Sequence, residues 1–90
     1  MGVRIVIPAY LQPFAADQKS VSAKGKTVGE CLQDLTKQFP DMEKALFAKK
    51  DRLHTDVRIY VNSKDAETEG LAKPLADGDE LSIIYVIGGG

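Results

Sequence analysis

Four segments of the chain have the composition and alternation of β-strands. They are residues 3–7, 19–24, 57–61 and 81–87. The first is rich in β-branched side chains and is followed by Pro8, which cannot donate a backbone hydrogen bond and so ends pairing on one side. The last is apolar on both faces apart from Ser82. The first and last strands are the most apolar, so we expect them to lie side by side at the centre of one sheet.

A helix is predicted between the second and third strands. Thr27 is followed three residues later by Glu30, which is the capping-box pattern of a helix start. Apolar side chains then recur at helical spacing on one side, at Val28, Cys31, Leu32, Leu35 and Phe39. Pro40 ends the helix at the residue before it. After it, Asp41 is predicted to cap a short second helix that includes Met42, Ala45, Leu46 and Phe47.

The remaining segments are predicted to be irregular. Residues 8–18 resemble a loop, residues 49–56 a charged connector, and residues 62–80 a mostly polar stretch containing the Asp77-Gly78-Asp79 turn signal. The pattern predicts an α+β fold, in which a mixed sheet is covered on one face by one main helix. With the first and last strands in the centre, this is the β-grasp arrangement. We expect residues 1–87 to form one domain and residues 88–90 a flexible glycine tail.

Composition excludes several classes of protein. The chain has 90 residues, 12 basic and 13 acidic, and a formal net charge of -1. Without a basic stripe, nucleic-acid binding is not expected. No apolar run approaches the roughly 18–20 residues of a membrane span, and the N-terminus lacks the pattern of a signal peptide. The single cysteine, Cys31, rules out an internal disulfide, so we expect a cytoplasmic protein.

The end of the chain is its most informative feature. The last strand is followed directly by Gly88, Gly89 and Gly90. Glycine has no Cβ, so such a tail is narrow and can enter a tunnel that would exclude side chains. A terminal carboxylate can be activated by ATP as an acyl-adenylate and then attacked by a sulfur donor, which gives a thiocarboxylate. Three glycines in isolation are equally typical of a frayed end, but attachment to a β-grasp pattern favours the chemical interpretation.

The sequence resembles the ThiS/MoaD family of sulfur carriers over nearly its whole length. The resemblance rests on residues 3–11 (VRIVIPAYL), residues 27–30 with Leu32 and Leu35, residues 59–62, residues 74–80 (PLADGDE) and the terminal Gly-Gly. It implies a ubiquitin-like β-grasp fold and adenylation by an E1-like enzyme. Carried over to this chain, Gly90 receives AMP and then sulfur, while Gly88 and Gly89 thread into the partner. The carrier then donates sulfur to an accepting synthase.

Within that family, the chain length and Ile7-Pro8-Ala9 are closer to MoaD-like carriers of the cysteine-biosynthesis type. Two positions depart from that group, which often has Arg where Gln12 stands and Ala where Gly88 stands. The first puts one possible partner contact in question, and the second is expected to loosen the tail without removing the reacting group. If Gly90 is the natural end, no processing protease is needed. The small subunit of molybdopterin synthase, a ubiquitin-like protein modifier and an inert β-grasp binding module remain alternatives.

The last strand also predicts a partner surface. We expect Leu81, Ile83 and Tyr85 to face the core, which leaves Ile84 and Val86 facing outward. Exposed apolar side chains of this kind are typical of protein interfaces. The candidate partner-binding residues are Pro8, Ile84, Val86 and Ile87; the alternative is that a helix or loop covers both faces.

No catalytic or metal site is expected. His54 is the single histidine and is predicted to be a solvated loop residue. Cys31 lies on the apolar face of the helix, where it packs as a small hydrophobic side chain. Asp77, Asp79 and Glu80 cluster, but turn chemistry accounts for the first two. The chain is therefore expected to be a non-enzymatic carrier without a bound cofactor, and ATP and any metal would belong to the activating enzyme.

Overall fold

The computed structural model describes residues 2–49, 52–65 and 70–85. In chain order the elements are β1 (Val3–Val6), a 3₁₀ helix (Ala9–Ala15), β2 (Ser20–Ala23), α1 (Val28–Gln38), α2 (Met42–Leu46), β3 (Phe47–Lys49), β4 (Arg52–Leu53), β5 (Val57–Val61), β6 (Lys64–Asp65), a second 3₁₀ helix (Gly70–Ala72) and β7 (Glu80–Tyr85). No helix among these elements is both long enough and apolar enough to cross a membrane.

Five of the strands form one mixed sheet in the order β2-β1-β7-β5-β6. The first and last strands, β1 and β7, are parallel neighbours, with Ile5 opposite Leu81. The other neighbours are antiparallel, and β5 and β7 pair with Ile59 opposite Ile83. The central position of β7 and its parallel pairing with β1 confirm the predicted β-grasp arrangement.

Helix α1 begins where the capping pattern predicts. The Thr27 backbone is extended, and its Oγ1 accepts a hydrogen bond from the Glu30 N–H at 3.2 Å. The Glu30 carboxylate in turn accepts from the Lys26 N–H at 2.8 Å. The helix ends at Gln38, with Phe39 as the cap residue, just before Pro40. Its start is therefore fixed by side-chain hydrogen bonds, and its end by the approach of proline.

The core lies between α1 and the helix-facing side of the sheet. Its fully buried side chains include Ile5, Leu32, Leu35 and Leu81, and α2 adds Met42 and Leu46. Cys31 is part of this core, and burial is the main cause that raises the pKa of its thiol. The prediction that Cys31 packs as a hydrophobic side chain is confirmed.

Two segments predicted to be irregular are ordered elements. Residues 9–15 form a 3₁₀ helix whose start is held by the Pro8 carbonyl, which accepts from the N–H groups of Leu11 and Gln12. Leu11 and Ala15 are buried, so this segment closes one end of the core. Within the predicted charged connector, Lys49 ends β3 and Arg52 and Leu53 form β4, and these two strands pair with Phe47 opposite Leu53.

Three smaller predictions in this region need correction. Asp41 is the N-cap residue of α2, as predicted, but its side chain makes no cap hydrogen bond. Phe47 begins β3 rather than ending α2. His54 lies in a loop, as predicted, but it is half-buried, and its ring Nε2 donates to the Lys44 carbonyl oxygen at 3.0 Å.

The predicted Asp77-Gly78-Asp79 turn is present and lies immediately before β7. Gly78 has a positive φ of 89°, and the Asp79 N–H donates to the Ala76 carbonyl at 3.0 Å. The Asp79 carboxylate accepts from the Ala76 N–H at 2.9 Å and from the Asn62 side-chain amide at 3.1 Å. Asn62 lies at the β5–β6 turn and also accepts from the Glu80 N–H at 2.9 Å. This network joins the turn to the neighbouring hairpin and fixes where β7 enters the sheet.

Side chains of α1 cover the free edge of β2. The Gln38 side-chain amide donates to the Ser22 carbonyl oxygen at 3.0 Å and to the Asp34 carboxylate at 3.1 Å. The same carboxylate accepts from the Lys24 N–H at 3.0 Å. Two backbone groups at this edge, the Ser22 carbonyl and the Lys24 N–H, are therefore paired within the chain.

Candidate functional site

The sheet face opposite α1 is open to solvent, and β7 runs through its middle. Along β7, Leu81 and Ile83 are buried in the core, while Ser82 and Ile84 point to the open face. Ile84 is 41% exposed and lies opposite Arg58 of β5. The structure therefore places Ile84 on the outward side that the alternation predicts.

A row of residues crosses this open face beside Ile84. Val6 of β1 and Tyr60 of β5 both lie opposite Ser82 in the strand register. Both side chains are half-buried, and Arg58 and Arg4 near them are exposed. The open face thus offers a partly apolar centre with two arginine side chains, a composition that suits a protein interface.

Pro8 stands at the end of β1 near this face. It is half-buried, and its carbonyl oxygen accepts two hydrogen bonds that start the following 3₁₀ helix. The Gln12 side-chain amide donates to the Ile7 carbonyl oxygen at 3.1 Å. The Gln12 side chain therefore stabilises the local backbone.

Tyr85 does not belong to the core, which corrects the sequence prediction. It lies on the same side of the sheet as its buried partner Val57, but it is 43% exposed. The core ends at Ile83, and β7 continues beyond it. The Tyr85 ring stacks on Tyr10 instead, with 4.7 Å between ring centroids and 49° between planes.

An acidic residue completes this aromatic contact. Hydrogen bonding to the Asp56 carboxylate is the main cause that raises the pKa of Tyr85, followed by the charge of Asp56. The pKa of Tyr10 is also raised, first by partial burial and then by the charge of Asp56. Sequence reasoning missed Tyr10 and Asp56 because both lie in segments without strand or helix periodicity.

The tail lies outside the described residues. This applies to Val86, Ile87, Gly88, Gly89 and Gly90. The roles expected for these residues, and the boundary between domain and tail, stay predictions. Within the described part of the chain, no group of three or more His, Cys, Asp and Glu side chains is arranged to hold a metal ion.

The geometry defines a ubiquitin-like β-grasp protein, and in the sequence its central strand is followed by Val86, Ile87 and three glycines. Residues 5–90 match the ThiS family, and the chain belongs to that family. It is homologous over its full length to the sulfur carrier protein CysO of Mycobacterium tuberculosis, with 39% identity over 93 residues that cover 100% of both chains.

Solved structures of related proteins have the same fold. A chain of the Amycolatopsis orientalis BexX/CysO complex has a TM-score of 0.88 and 34% identity, covering 99% of this chain and 100% of that one. The small archaeal modifier protein 1 of Methanosarcina acetivorans has a TM-score of 0.86 and 27% identity, covering 98% and 95% respectively. The fold is thus shared by carriers and by a protein described as a modifier.

Proposed function

We propose that this protein is a sulfur carrier and that its reacting group is the carboxylate of Gly90. The observation that supports this most strongly is the full-length homology to the sulfur carrier CysO, together with a family match that extends to Gly90 itself. The same homology favours cysteine biosynthesis as the pathway that receives the sulfur.

The chemistry proceeds in two balanced steps. The Gly90 carboxylate attacks the α-phosphate of ATP, which releases pyrophosphate and forms an acyl-adenylate. A sulfide donor then attacks the carbonyl carbon and AMP leaves, so that one carboxylate oxygen is replaced by sulfur. The nucleotide and any metal ion are bound by the E1-like enzyme, and the carrier supplies the reacting carboxylate and a docking surface. On this proposal the carrier is not itself an enzyme.

We propose the open sheet face as that docking surface. Ile84 is its exposed apolar side chain, Pro8 follows β1 two residues after Val6, and Val86 and Ile87 follow β7 in sequence. The activating enzyme and the sulfur-accepting synthase would use this face in turn, because both must receive the same tail. An ATP-dependent cycle of this kind places the protein in the cytoplasm, where a reduced Cys31 is also expected.

The test is the intact mass of the protein after incubation with ATP, the cognate E1-like enzyme and sulfide. We expect a mass gain equal to the replacement of one oxygen by sulfur, located at Gly90 by fragmentation. An unchanged mass, with an enzyme shown to activate another carrier, would refute the proposal. A variant lacking Gly90 is the matched control and should remain unmodified.

A second candidate is a protein modifier joined through Gly90 to lysine side chains. The observation that favours it is the similarity to small archaeal modifier protein 1. The activation step is the same, so the test must examine the acceptor. Affinity purification of the tagged protein from cells under denaturing conditions, followed by a search for isopeptide-linked Gly90, would identify conjugates.

A further inference from the structure

The open sheet face carries an arginine directly beside its exposed apolar side chain. Arg58 of β5 stands opposite Ile84 of β7 in the strand register, and both side chains are exposed. Tyr60, two residues further along β5, is half-buried on the same face. Tyrosine and arginine are among the residue types most enriched at the positions that dominate binding in protein interfaces. The neighbourhood of Ile84 therefore offers a charged group as well as apolar surface.

We propose that Arg58 makes a charge-assisted contact with a carboxylate of the activating enzyme, so that docking selects a partner with an acidic side chain beside the site that receives Ile84. This inference rests on the proposed function and specifies the chemistry of the partner surface that the open sheet face fits. Arg58 is a specificity residue for docking, and it takes no part in the adenylation chemistry.

A hydrogen bond within the chain orients the guanidinium of Arg58. Its Nη1 donates to the Thr55 carbonyl oxygen at 3.2 Å. A guanidinium carries several N–H donors in one plane, and this bond uses a single one of them. The remaining donors form a planar fork that matches the two oxygens of a carboxylate. Because the side chain is already held in one orientation, it loses less conformational entropy when a partner binds.

The charges on this face are distributed unevenly along the strands. At the end where β7 begins, Arg4 of β1 lies opposite Glu80, so a carboxylate stands next to that arginine. Further along β7, the residue opposite Arg58 is Ile84, which carries no charge. The field of Arg4 is therefore partly balanced by its cross-strand neighbour, whereas the field of Arg58 is not. The unbalanced positive charge lies beside Ile84.

Charge complementarity identifies the kind of partner that this face fits. Among the described side chains that β1, β2, β5 and β7 direct to the open face, the charged ones are Arg4, Arg58 and Glu80. This part of the face is thus positive, although the whole chain has a net charge of -1. It attracts an acidic surface. An exposed ion pair contributes little to binding in water, but a contact with Ile84 that excludes solvent would strengthen it.

The test measures the affinity of the cognate activating enzyme for the carrier and its variants by surface plasmon resonance. Arg58→Ala should raise Kd at least about tenfold, because it leaves the partner carboxylate desolvated and unpaired. Arg58→Lys keeps the charge but not the planar fork, and it should recover only part of the lost affinity. Equal affinity of Arg58→Ala and the unmodified carrier would overturn the inference.

Two other arginines provide matched controls. Arg52→Ala removes the same residue type from β4, outside the five-stranded sheet, and should leave Kd unchanged. Arg4→Ala removes a charge from the open face itself, next to Glu80, and should raise Kd less than Arg58→Ala does. An equal rise in Kd for Arg4→Ala and Arg58→Ala would indicate a diffuse attraction and would overturn the specific contact.

A charge exchange keeps the test decisive if a variant is damaged. Arg58→Glu should raise Kd about a hundredfold, because two carboxylates would then face each other at the interface. When the exposed acidic residues of the enzyme are changed to arginine one at a time, one enzyme variant should restore binding to Arg58→Glu. A misfolded carrier could not be restored in this way. Failure of every enzyme variant to restore binding would overturn the inference.

Adenylation of the unmodified carrier, measured with the same enzyme, separates this inference from the proposed function. If the unmodified carrier is adenylated and Arg58→Ala binds equally well, the inference fails while the proposed function stands. If the unmodified carrier neither binds nor is adenylated by an enzyme shown to activate another carrier, the proposed function fails and the inference fails with it.

Discussion

Alanine substitutions at Ile83 and Ile84 should separate stability from partner binding. The two residues are neighbours in β7, but Ile83 is 2% exposed and Ile84 is 41% exposed on the open face. Truncating a buried isoleucine costs about 3 kcal/mol, from lost burial and the cavity left behind. Because Ile84 is already partly exposed, its truncation removes less buried apolar surface, and we expect Ile84→Ala to lower the free energy of unfolding by about 1 kcal/mol.

These free energies correspond to measurable melting temperatures. A domain of this size loses about 4–8 °C for each kcal/mol. Thermal unfolding followed by circular dichroism should therefore show a fall of roughly 10–25 °C for Ile83→Ala and at most about 8 °C for Ile84→Ala. If Ile84→Ala melts as low as Ile83→Ala, then Ile84 is a core residue and the argument for an outward interface is wrong.

Binding is measured on a charged variant of the same position. Ile84→Asp should weaken binding to the E1-like enzyme at least tenfold in titration calorimetry, because the interface loses an apolar side chain and must desolvate a carboxylate. Gln33→Asp places the same charge on the exposed side of α1 and is the matched control. Equal affinity of the two variants would show that the open face is not the docking surface.

Three further predictions concern the tail, the turn before β7 and the helix cap. Deleting Gly90 should abolish adenylation and leave the melting temperature unchanged, since the residue follows the last strand; an adenylated deletion variant would contradict this. Hydrogen bonds from Ala76 and Asn62 hold the pKa of Asp79 below its ordinary value of 3.8. The folded carboxyl thus has the lower pKa, so its stabilisation is complete above the unfolded pKa and is lost as pH falls through the folded pKa. Melting temperatures of the unmodified protein and Asp79→Asn should therefore differ at neutral pH, and the difference should shrink as the pH falls below 3.8; a difference independent of pH would refute the role of the charge. Thr27→Ala should lower the free energy of urea unfolding by about 1 kcal/mol, because the N-cap acceptor is lost. Thr27→Ser keeps the hydroxyl and should be nearly neutral, and an equal loss in the two variants would disprove the cap.

The parts of the fold with strong local signals could be predicted from sequence. The start of α1 follows from Thr27 and Glu30, whose side chains make the cap hydrogen bonds within a few residues of each other. The central position of the first and last strands could also be predicted, because they are the most apolar strands and the centre of a sheet is its most buried part. A capping pattern and an apolar strand can both be recognised from residue type and spacing alone.

The elements that were missed depend on tertiary contacts. Residues 9–15 contain Pro13 and no helical period, and they form a 3₁₀ helix because Leu11 and Ala15 fit the open end of the core. The side of the sheet on which Tyr85 lies could be predicted by alternation, but not the point at which the core ends. That point depends on how far α1 and the 3₁₀ helix extend over the sheet. The contact between Tyr10 and Tyr85 likewise arises only in the folded chain, and the spacing of residues in the sequence does not predict it.

The hydrogen bonds of Asp34 and Gln38 to β2 have a consequence for behaviour in a crowded solution. An uncovered edge strand is a template on which another chain can add a strand, and this is a common route to aggregation. Here two side chains of α1 already occupy backbone groups of Ser22 and Lys24. These two groups of the β2 edge are therefore not available to pair with a strand of another molecule, which makes strand addition at this edge less favourable.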